Sequence, residues 1–257
     1  MKTKDLLFKI KRKLTAAYIT KVALLSAISF ILYLYGKFAL PFMFPSFLDM
    51  QFSELPALLA GFALDPVAGA IVIVVKCLLK FPFSGTAFVG ELTDMLLGIL
   101  YVVPAAIIYH RNKTKKTALI GLISGTLIAT AAAVLVNRFI SIPFYVSFYF
   151  KGNFDIIVGM LKPLYKTITR RSFYFYYLLV AVVPFNLLRL GVVSFVTFLV
   201  YKVLSKPLHW EWKAKKKAEE EIPENVPAGV TDETIALSAE TKANAEENAE
   251  SSPATNE

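Results

Sequence analysis

The stretch Ala118–Val136, ALIGLISGTLIATAAAVLV, contains no charged side chain in its nineteen residues. A helix of about 20 mainly apolar residues spans the hydrocarbon core of a bilayer. Comparable runs occupy Val22–Leu34 and Phe173–Leu204. Backbone N–H and C=O groups in lipid must hydrogen-bond to one another, so only helices and closed β-barrels can span a membrane. The continuous apolar runs lack the alternating pattern of barrel strands. The sequence therefore predicts an all-α polytopic membrane protein.

Composition agrees with this class. Of the 257 residues, 56% are hydrophobic and 18% are charged, with a mean hydropathy of +0.57, whereas soluble domains carry about 25% charged residues. The single cysteine, Cys77, allows no intrachain disulfide. The two histidines, His110 and His209, are too far apart to suggest a metal centre. No G-x-x-x-x-G-K-[ST] phosphate loop occurs, so we expect no ATPase site of that type.

Six membrane helices are predicted. The second helix would be only about 16 Å long, so neighbouring helices must shield its ends from lipid. It joins the third helix at Asp65–Pro66. The loop before the sixth helix contains an amphipathic stretch, Phe154–Ile168, that could lie on the surface. The predicted ranges are 16–35, 54–64, 66–79, 87–109, 117–136 and 173–204.

Basic clusters predict the topology. Residues 2–21 carry seven Lys and Arg, 110–116 carry four and 202–217 carry six. Such clusters stay on the cytoplasmic side, so both termini should be cytoplasmic. The loop 138–172 would then lie outside, with six basic residues and one acid, Asp155.

The end of the chain has a different composition. From residue 218 it holds eleven acids, one lysine and no aromatic residue, and such a segment cannot bury enough apolar surface to fold. We therefore predict a basic N-terminus at 1–15, a membrane substrate-binding domain at 16–213, and a disordered tail at 214–257, acidic from 218. The basic charge lies at span ends, which suits anionic lipid, and nucleic acid is not an expected partner.

Polar residues at membrane depth are candidate site residues. Asn186 and Arg189 lie three apart after Pro184, on one face of the sixth helix. Together they offer donors and an acceptor, which suits a neutral polar ligand with carbonyls and hydroxyls. The alternative is that Arg189 pairs with an acid for packing or topology.

Glu91 and Asp94 share one face at the start of the fourth helix. Paired carboxylates can act as acid and base, bind a cation or contact a ligand. They can also neutralise Lys76, Lys80 or Arg189, which is the simplest interpretation.

The loop after the first helix and the end of the fifth helix supply further candidates. Phe47, Leu48 and Met50 lie in a proline-containing loop, where they could cover an apolar pocket or rest in the headgroup region. Asn137 and Arg138 are predicted to end the fifth helix, where Asn137 could cap it or bind ligand.

Several motifs, in order along the chain, resemble one family. They cover roughly residues 16–205 and are similar to the riboflavin-specific S component of energy-coupling factor (ECF) transporters. The motifs are Leu40-Pro41, PSFL at 45–48, FSELPALLAGF at 52–62, Gly90-Glu91-Leu92, Asn137, and PFNLL at 184–188.

The resemblance implies six helices, a place in the plasma membrane, and an outward-facing pocket built from the first loop and the outer parts of helices four to six. Riboflavin would be the transported ligand, with no separate cofactor, catalytic residue or metal. The partners implied are a T subunit and two ATPase subunits. Ala23 and Ala27, a small-xxx-small pair, match the family's A-x-x-x-A docking motif.

The same resemblance implies that Asn137 and Asn186 hydrogen-bond the flavin, with its ring against Phe47 and Leu48. Arg189 stands where the family has a lysine and Asp94 where it has an amide, which leaves FMN or another flavin open. The alternatives are an S component for another vitamin, a membrane enzyme using Glu91 and Asp94, and an assembly protein packing through its first helix.

Overall fold

The structure is a computed structural model that describes residues 16–200. The predicted N-terminus at 1–15, the end of the membrane domain at 201–213 and the tail at 214–257 lie outside the described residues. Helices account for most of residues 16–200. The elements are α1 Ala16–Tyr35, β1 Lys37–Ala39, β2 Asp49–Gln51, α2 Glu54–Ala63, α3 Pro66–Lys80, α4 Val89–Asn112, α5 Lys115–Phe148, α6 Phe154–Leu161 and α7 Phe175–Val200.

Five helices within residues 16–200 are long and apolar enough to cross a membrane: α1, α3 with the 3₁₀ turn Phe81–Phe83, α4, α5 and α7. The ten residues of α2 are too few to span a bilayer alone. These helices confirm the all-α polytopic class. The count of six spans and the cytoplasmic termini stay predictions.

Local capping explains two helix starts. Asp65 accepts a hydrogen bond from the Ala68 N–H (2.9 Å), with Pro66 in the first helical position of α3. At α5 the Thr114 hydroxyl accepts from the Thr117 N–H (3.2 Å), and the Thr117 hydroxyl accepts from the Thr114 N–H (3.0 Å). The break predicted at Asp65–Pro66 is confirmed.

Small residues bring α4 and α5 into close contact. A Cβ added at Gly125 would lie 2.4 Å from the Tyr101 carbonyl oxygen, and one at Gly121 would lie 2.6 Å from that of Ala105. Such residues let membrane helices approach closely. The Tyr101 side chain is fully buried, and its hydroxyl contacts the Ser194 hydroxyl (2.7 Å). These contacts hold α4, α5 and α7 together.

Helices α5 and α7 each contain a π-helical segment, Asn137–Ser141 and Phe175–Val182. Each segment is followed within two residues by a proline, Pro143 or Pro184. The N–H before each proline bonds to a carbonyl five residues earlier. Proline has no N–H, and its ring clashes with the carbonyl of the preceding turn, so a widened turn accommodates it without ending the helix.

As a result α5 runs on to Phe148. The prediction that Asn137 and Arg138 end the fifth helix is wrong, because the π segment carries the helix past them. The amphipathic stretch predicted at 154–168 is helical only over α6, with Ile157 buried on its inner face.

A short antiparallel pair, β1 with β2, was not predicted from the sequence. Lys37 pairs with Gln51, Phe38 with Met50 and Ala39 with Asp49. Side chains alternate along a strand, so Asp49 and Gln51 face one side and Met50 faces the other. The pair closes the loop between α1 and α2.

We expect Gly125→Ala to destabilise the protein by about 2 kcal/mol, because the new methyl group overpacks the α4–α5 contact. Gly191→Ala in α7 is the matched control. A Cβ there meets nothing within 4 Å, and alanine favours a helix by about 1 kcal/mol over glycine. Thermal unfolding of the two variants in one detergent measures the difference. Equal or higher stability of Gly125→Ala would contradict this packing.

Candidate substrate-binding site

A cavity of about 580 Å³ lies between the β1–β2 loop and the ends of three long helices. Its volume falls in the range of small-molecule pockets, about 300–1,000 Å³. The loop supplies Phe47 and Leu48, and α6 closes one side with Ile157 and Met160. The polar and aromatic lining includes Tyr33, Asp49, Gln51, Thr86, Glu91, Asp94, Asn137, Tyr145, Tyr177, Asn186 and Arg189.

The structure brings seven of the eight residues predicted to contact substrate to this cavity: Phe47, Leu48, Glu91, Asp94, Asn137, Asn186 and Arg189. Met50 is the exception. It is 4% exposed and packs in a small cluster with Phe44 and Phe185. The alternation of strand β2 turns Met50 away from the cavity while its neighbours Asp49 and Gln51 line it.

The two asparagines are held in the same way. Asn137 Nδ2 donates to the Ala133 carbonyl (2.8 Å), and Asn186 Nδ2 donates to the Val182 carbonyl (2.9 Å). Bonds to the carbonyl four residues earlier fix such side chains against their helix. Tyr177 adds a hydroxyl that donates to Asn137 Oδ1 (2.7 Å). Each carboxamide keeps a second N–H, and Asn186 Oδ1 accepts no hydrogen bond from residues 16–200. A ligand edge that alternates acceptors and donors matches these groups.

Aromatic rings form one wall of the cavity. The Phe47 and Tyr177 ring centroids lie 5.9 Å apart at 43°. Behind them Phe173, fully buried, stacks on Tyr177 at 5.4 Å and 19°. Aromatic faces favour offset stacking with other flat rings, so this wall suits a planar ligand.

A cluster of four buried charges, Glu54, Lys76, Asp94 and Arg189, lies beneath the cavity, and Asp94 and Arg189 form part of the cavity lining. Arg189 Nη2 donates to Glu54 Oε1 and to Asp94 Oδ1 (3.1 Å). Lys76 Nζ lies 3.0 Å from Asp94 Oδ2 and 3.5 Å from Glu54 Oε1. Two cations and two carboxylates balance, as buried charges must. Arg189 therefore pairs with acids, which was one of the two alternatives that the sequence left open. Arg189 also lines the cavity.

Neighbouring polar groups extend the cluster. Gln51 Nε2 donates to Asp94 Oδ1 (2.6 Å), and Lys76 Nζ donates to the Ser53 hydroxyl (2.7 Å). Both oxygens of Asp94 are therefore engaged. A carboxylate held by two cations and an amide is poorly suited to act as a general base, which disfavours the enzyme hypothesis.

Glu91 has a different role from Asp94. Its Oε2 accepts from the Ser84 and Thr86 hydroxyls, both at 2.7 Å, and within residues 16–200 it forms no ion pair. Ala87 and Phe88 follow in the left-handed region at φ 47° and 68°, which is uncommon for residues other than glycine. The predicted neutralisation of lysine and arginine thus falls to Asp94, while Glu91 fixes a strained loop at the rim of the cavity.

Sequence reasoning missed Glu54, Gln51 and Tyr177 as site residues. Glu54 could have been found from the sequence, because an acid that opens an apolar helix needs a cation at that depth, and Lys76 is isolated in an apolar run. Tyr177 carries no such signal, since tyrosines are frequent where α7 begins.

Ala23 and Ala27 lie away from the cavity. Both are exposed on α1, on the face that also presents Leu24. The opposite face of α1 is buried through Val22, Ser26, Ser29 and Tyr33. Within the described bundle, the small-residue face has no helix packed against it.

Comparison with known proteins gives consistent similarities. Residues 17–201 match the family "ECF transporter, substrate-specific component". Among solved structures, "Structure and mechanism of the S component of a bacterial ECF transporter" is similar with a TM-score of 0.56 and 33% identity, covering 74% of this chain and 96% of that one.

Two relatives are 33% identical to this chain. The riboflavin transporter RibU of Staphylococcus aureus (strain TCH60) aligns over 72% of this chain and 88% of its own length. RibU of Streptococcus thermophilus aligns over 73% and 82%. The riboflavin transporter FmnP of Bacillus subtilis (strain 168) is 26% identical over 72% of this chain and 90% of its own.

We expect Lys76→Met to destabilise the protein by about 3 kcal/mol, because it leaves an excess buried negative charge in the four-charge cluster. Glu54→Gln added to Lys76→Met restores the balance, since Asp94 and Arg189 remain paired. Thermal unfolding in detergent should therefore place the double variant above the single one. A double variant that is no more stable than Lys76→Met would contradict charge balance as the cause.

Proposed function

This chain belongs to the family of substrate-specific components of ECF transporters, and we propose that it captures riboflavin in the cavity beneath the β1–β2 loop. It is a multi-pass protein of the cell membrane. The flavin ring would stack against Phe47 and Tyr177. Asn137 and Asn186 would bond its polar edge.

The pair of oriented asparagines beside an aromatic wall carries this proposal. A flavin ring system is flat, with carbonyl oxygens and ring nitrogens along one edge and hydroxyls on its ribityl chain. Each carboxamide keeps an unused N–H toward the cavity, and a hydrogen bond left unmade at a partly buried group costs free energy. A ligand that accepts from these groups therefore binds tightly. The names of the relatives as riboflavin transporters support the same ligand.

The charges around the cavity favour the uncharged vitamin over FMN. Lys37 pairs with Asp49 (3.4 Å), and Arg189 is held by the acids of the four-charge cluster. Lys80 Nζ donates to the Phe83 carbonyl (2.6 Å). A phosphate would have to compete for these cations and would meet the carboxylate of Glu91, so FMN should bind more weakly than riboflavin.

Import would draw its energy from partner subunits. We propose that the exposed face of α1, with Ala23 and Ala27, contacts a T subunit that assembles with two ATPase subunits. Alanines on an exposed face let another helix approach closely. The absence of a helix over this face within residues 16–200 leaves it accessible to such a partner.

We expect Asn186→Ala and Asn137→Ala each to weaken riboflavin binding about tenfold, because each removes one or two hydrogen bonds to the ligand. Riboflavin fluorescence quenching on the purified protein measures Kd. Leu187→Ala is the control, since this neighbour of Asn186 is 40% exposed and does not line the cavity. Unchanged riboflavin affinity in both asparagine variants would refute the site.

We expect the double variant Ala23→Leu with Ala27→Leu to abolish both assembly with the partner subunits and riboflavin uptake, because the larger side chains prevent close helix approach. Riboflavin affinity should stay within about twofold, since the added side-chain atoms lie outside the cavity. Ala131→Leu, exposed on α5, is the matched control. Co-purification with the T and ATPase subunits and uptake by cells report docking. Normal assembly of the double variant would exclude this face of α1.

A further inference from the structure

Six basic side chains lie at the cavity end of the bundle, from the π segment of α5 to the residues just before α7. All six are exposed, and none forms an ion pair with an acid in the described part of the chain. Asp155 is the single acid of this segment and is also exposed. The six are Arg138, Lys151, Lys162, Lys166, Arg170 and Arg171. Within residues 16–200, one carboxylate therefore stands against six cations in this segment, and none of the six is neutralised by an ion pair.

Two of these residues are held by aromatic rings. The Arg138 guanidinium lies over the Tyr174 ring, 3.8 Å from its centroid, and the Arg170 guanidinium lies 5.4 Å from that of Phe154. The Phe154 and Tyr174 rings are themselves 6.0 Å apart. The two arginines therefore flank a contiguous aromatic pair. A stacked guanidinium keeps its N–H groups free around its edge, where they match the oxygens of a phosphate.

Apolar side chains adjoin this arginine pair on the span side. Phe139 is 68% exposed beside Arg138, and Phe175 is 59% exposed beside Tyr174. Leu135 and Leu179, one turn further into the spans, are also exposed. Aromatic residues with a polar group at the end of a span are typical of the headgroup level. Arg138 and Arg170, together with Phe139, Leu135, Phe175 and Leu179, are called the patch below. The patch presents cations where lipid phosphates lie and apolar groups where acyl chains begin.

We propose that Arg138 and Arg170, positioned by Tyr174 and Phe154, bind the phosphate groups of anionic phospholipids at this end of the bundle. The acyl chains would run along Phe139, Leu135, Phe175 and Leu179. Juxtamembrane basic residues attract anionic lipid, and the bordering apolar side chains favour a lipid over a soluble phosphate. This site is separate from the cavity, because neither Arg138 nor Arg170 lines it.

The test uses quenching that is local to the patch. Phe139→Trp is introduced into the full chain after Trp210 and Trp212 are replaced by phenylalanine, so that one tryptophan reports from the patch. The protein is placed in vesicles of phosphatidylcholine with increasing brominated phosphatidylglycerol, or with brominated phosphatidylcholine as the neutral probe. We expect phosphatidylglycerol to be preferred about tenfold at this position.

Arg138→Gln with Arg170→Gln should abolish that preference. Lys115→Gln with Lys116→Gln, which removes two charges at the start of α5 far along the helix from the patch, should leave it intact. The proposal fails if the two lipids quench equally in the parent protein, or if the arginine variant keeps the preference. It also fails if inorganic phosphate at constant ionic strength removes the preference, since the site would then take a soluble anion.

The double variant Arg138→Lys with Arg170→Lys is a second test, in which the positive charges are kept. Because lysine lacks the planar fork, most of the preference should be lost although the charge is kept, and circular dichroism confirms that each variant is folded. If the lysine variant keeps the full preference, charge alone is responsible and the stacked geometry proposed here is wrong.

Discussion

Burial of four charges in one membrane-embedded cluster is the constraint on which the rest of this structure depends. An isolated charge at membrane depth costs several kcal/mol, so Glu54, Lys76, Asp94 and Arg189 must meet. They come from α2, α3, α4 and α7, respectively. Their pairing therefore fixes the relative positions of four helices. It also explains how the ten-residue α2 is retained in the bundle, since the first residue of that helix accepts from both cations.

Two prolines place the hydrogen-bonding groups that face the cavity. Without a widened turn, Pro143 and Pro184 would kink or break α5 and α7. Each π segment shifts the helix register by a residue, and the two asparagines lie at or just after these segments. Their side chains thus reach the cavity from neighbouring helices while remaining bonded to their own backbones. The irregular backbone and the binding groups are parts of one arrangement.

The sequence predicted what depends on composition and local signals. Apolar runs predicted the long helices, and the Asp65–Pro66 break followed from capping chemistry. The cost of polar groups in lipid singled out Asn186, Arg189 and Asp94. The proline-containing loop pointed to Phe47 and Leu48, and the family resemblance implied that they lie against the ligand ring.

What the sequence did not predict depends on distant partners. Helix propensity gives no sign that a π turn will carry α5 past Asn137, because the turn is a response to a proline six residues later. The direction in which the Met50 side chain points depends on the register of β2, which is set by pairing with β1. A three-residue strand has too few side chains for its alternation to be recognised in the sequence. The two acidic partners of Arg189, Glu54 and Asp94, lie 135 and 95 residues away in the chain. A single sequence identifies the charges that need partners, but it does not say which of them meet.

Helix α1 connects the cavity floor to the outside of the bundle. Its buried Ser29 hydroxyl donates to the Ser53 carbonyl, the Ser53 hydroxyl accepts from Lys76, and Lys76 binds Asp94 at the cavity floor. The opposite face of α1 presents Ala23 and Ala27. Capture of a ligand and docking of a partner would thus use separate surfaces that meet through one short chain of hydrogen bonds. A partner can cover the exposed face of α1 without entering the cavity, which is the arrangement a binding subunit needs if it is to hold its ligand while it docks.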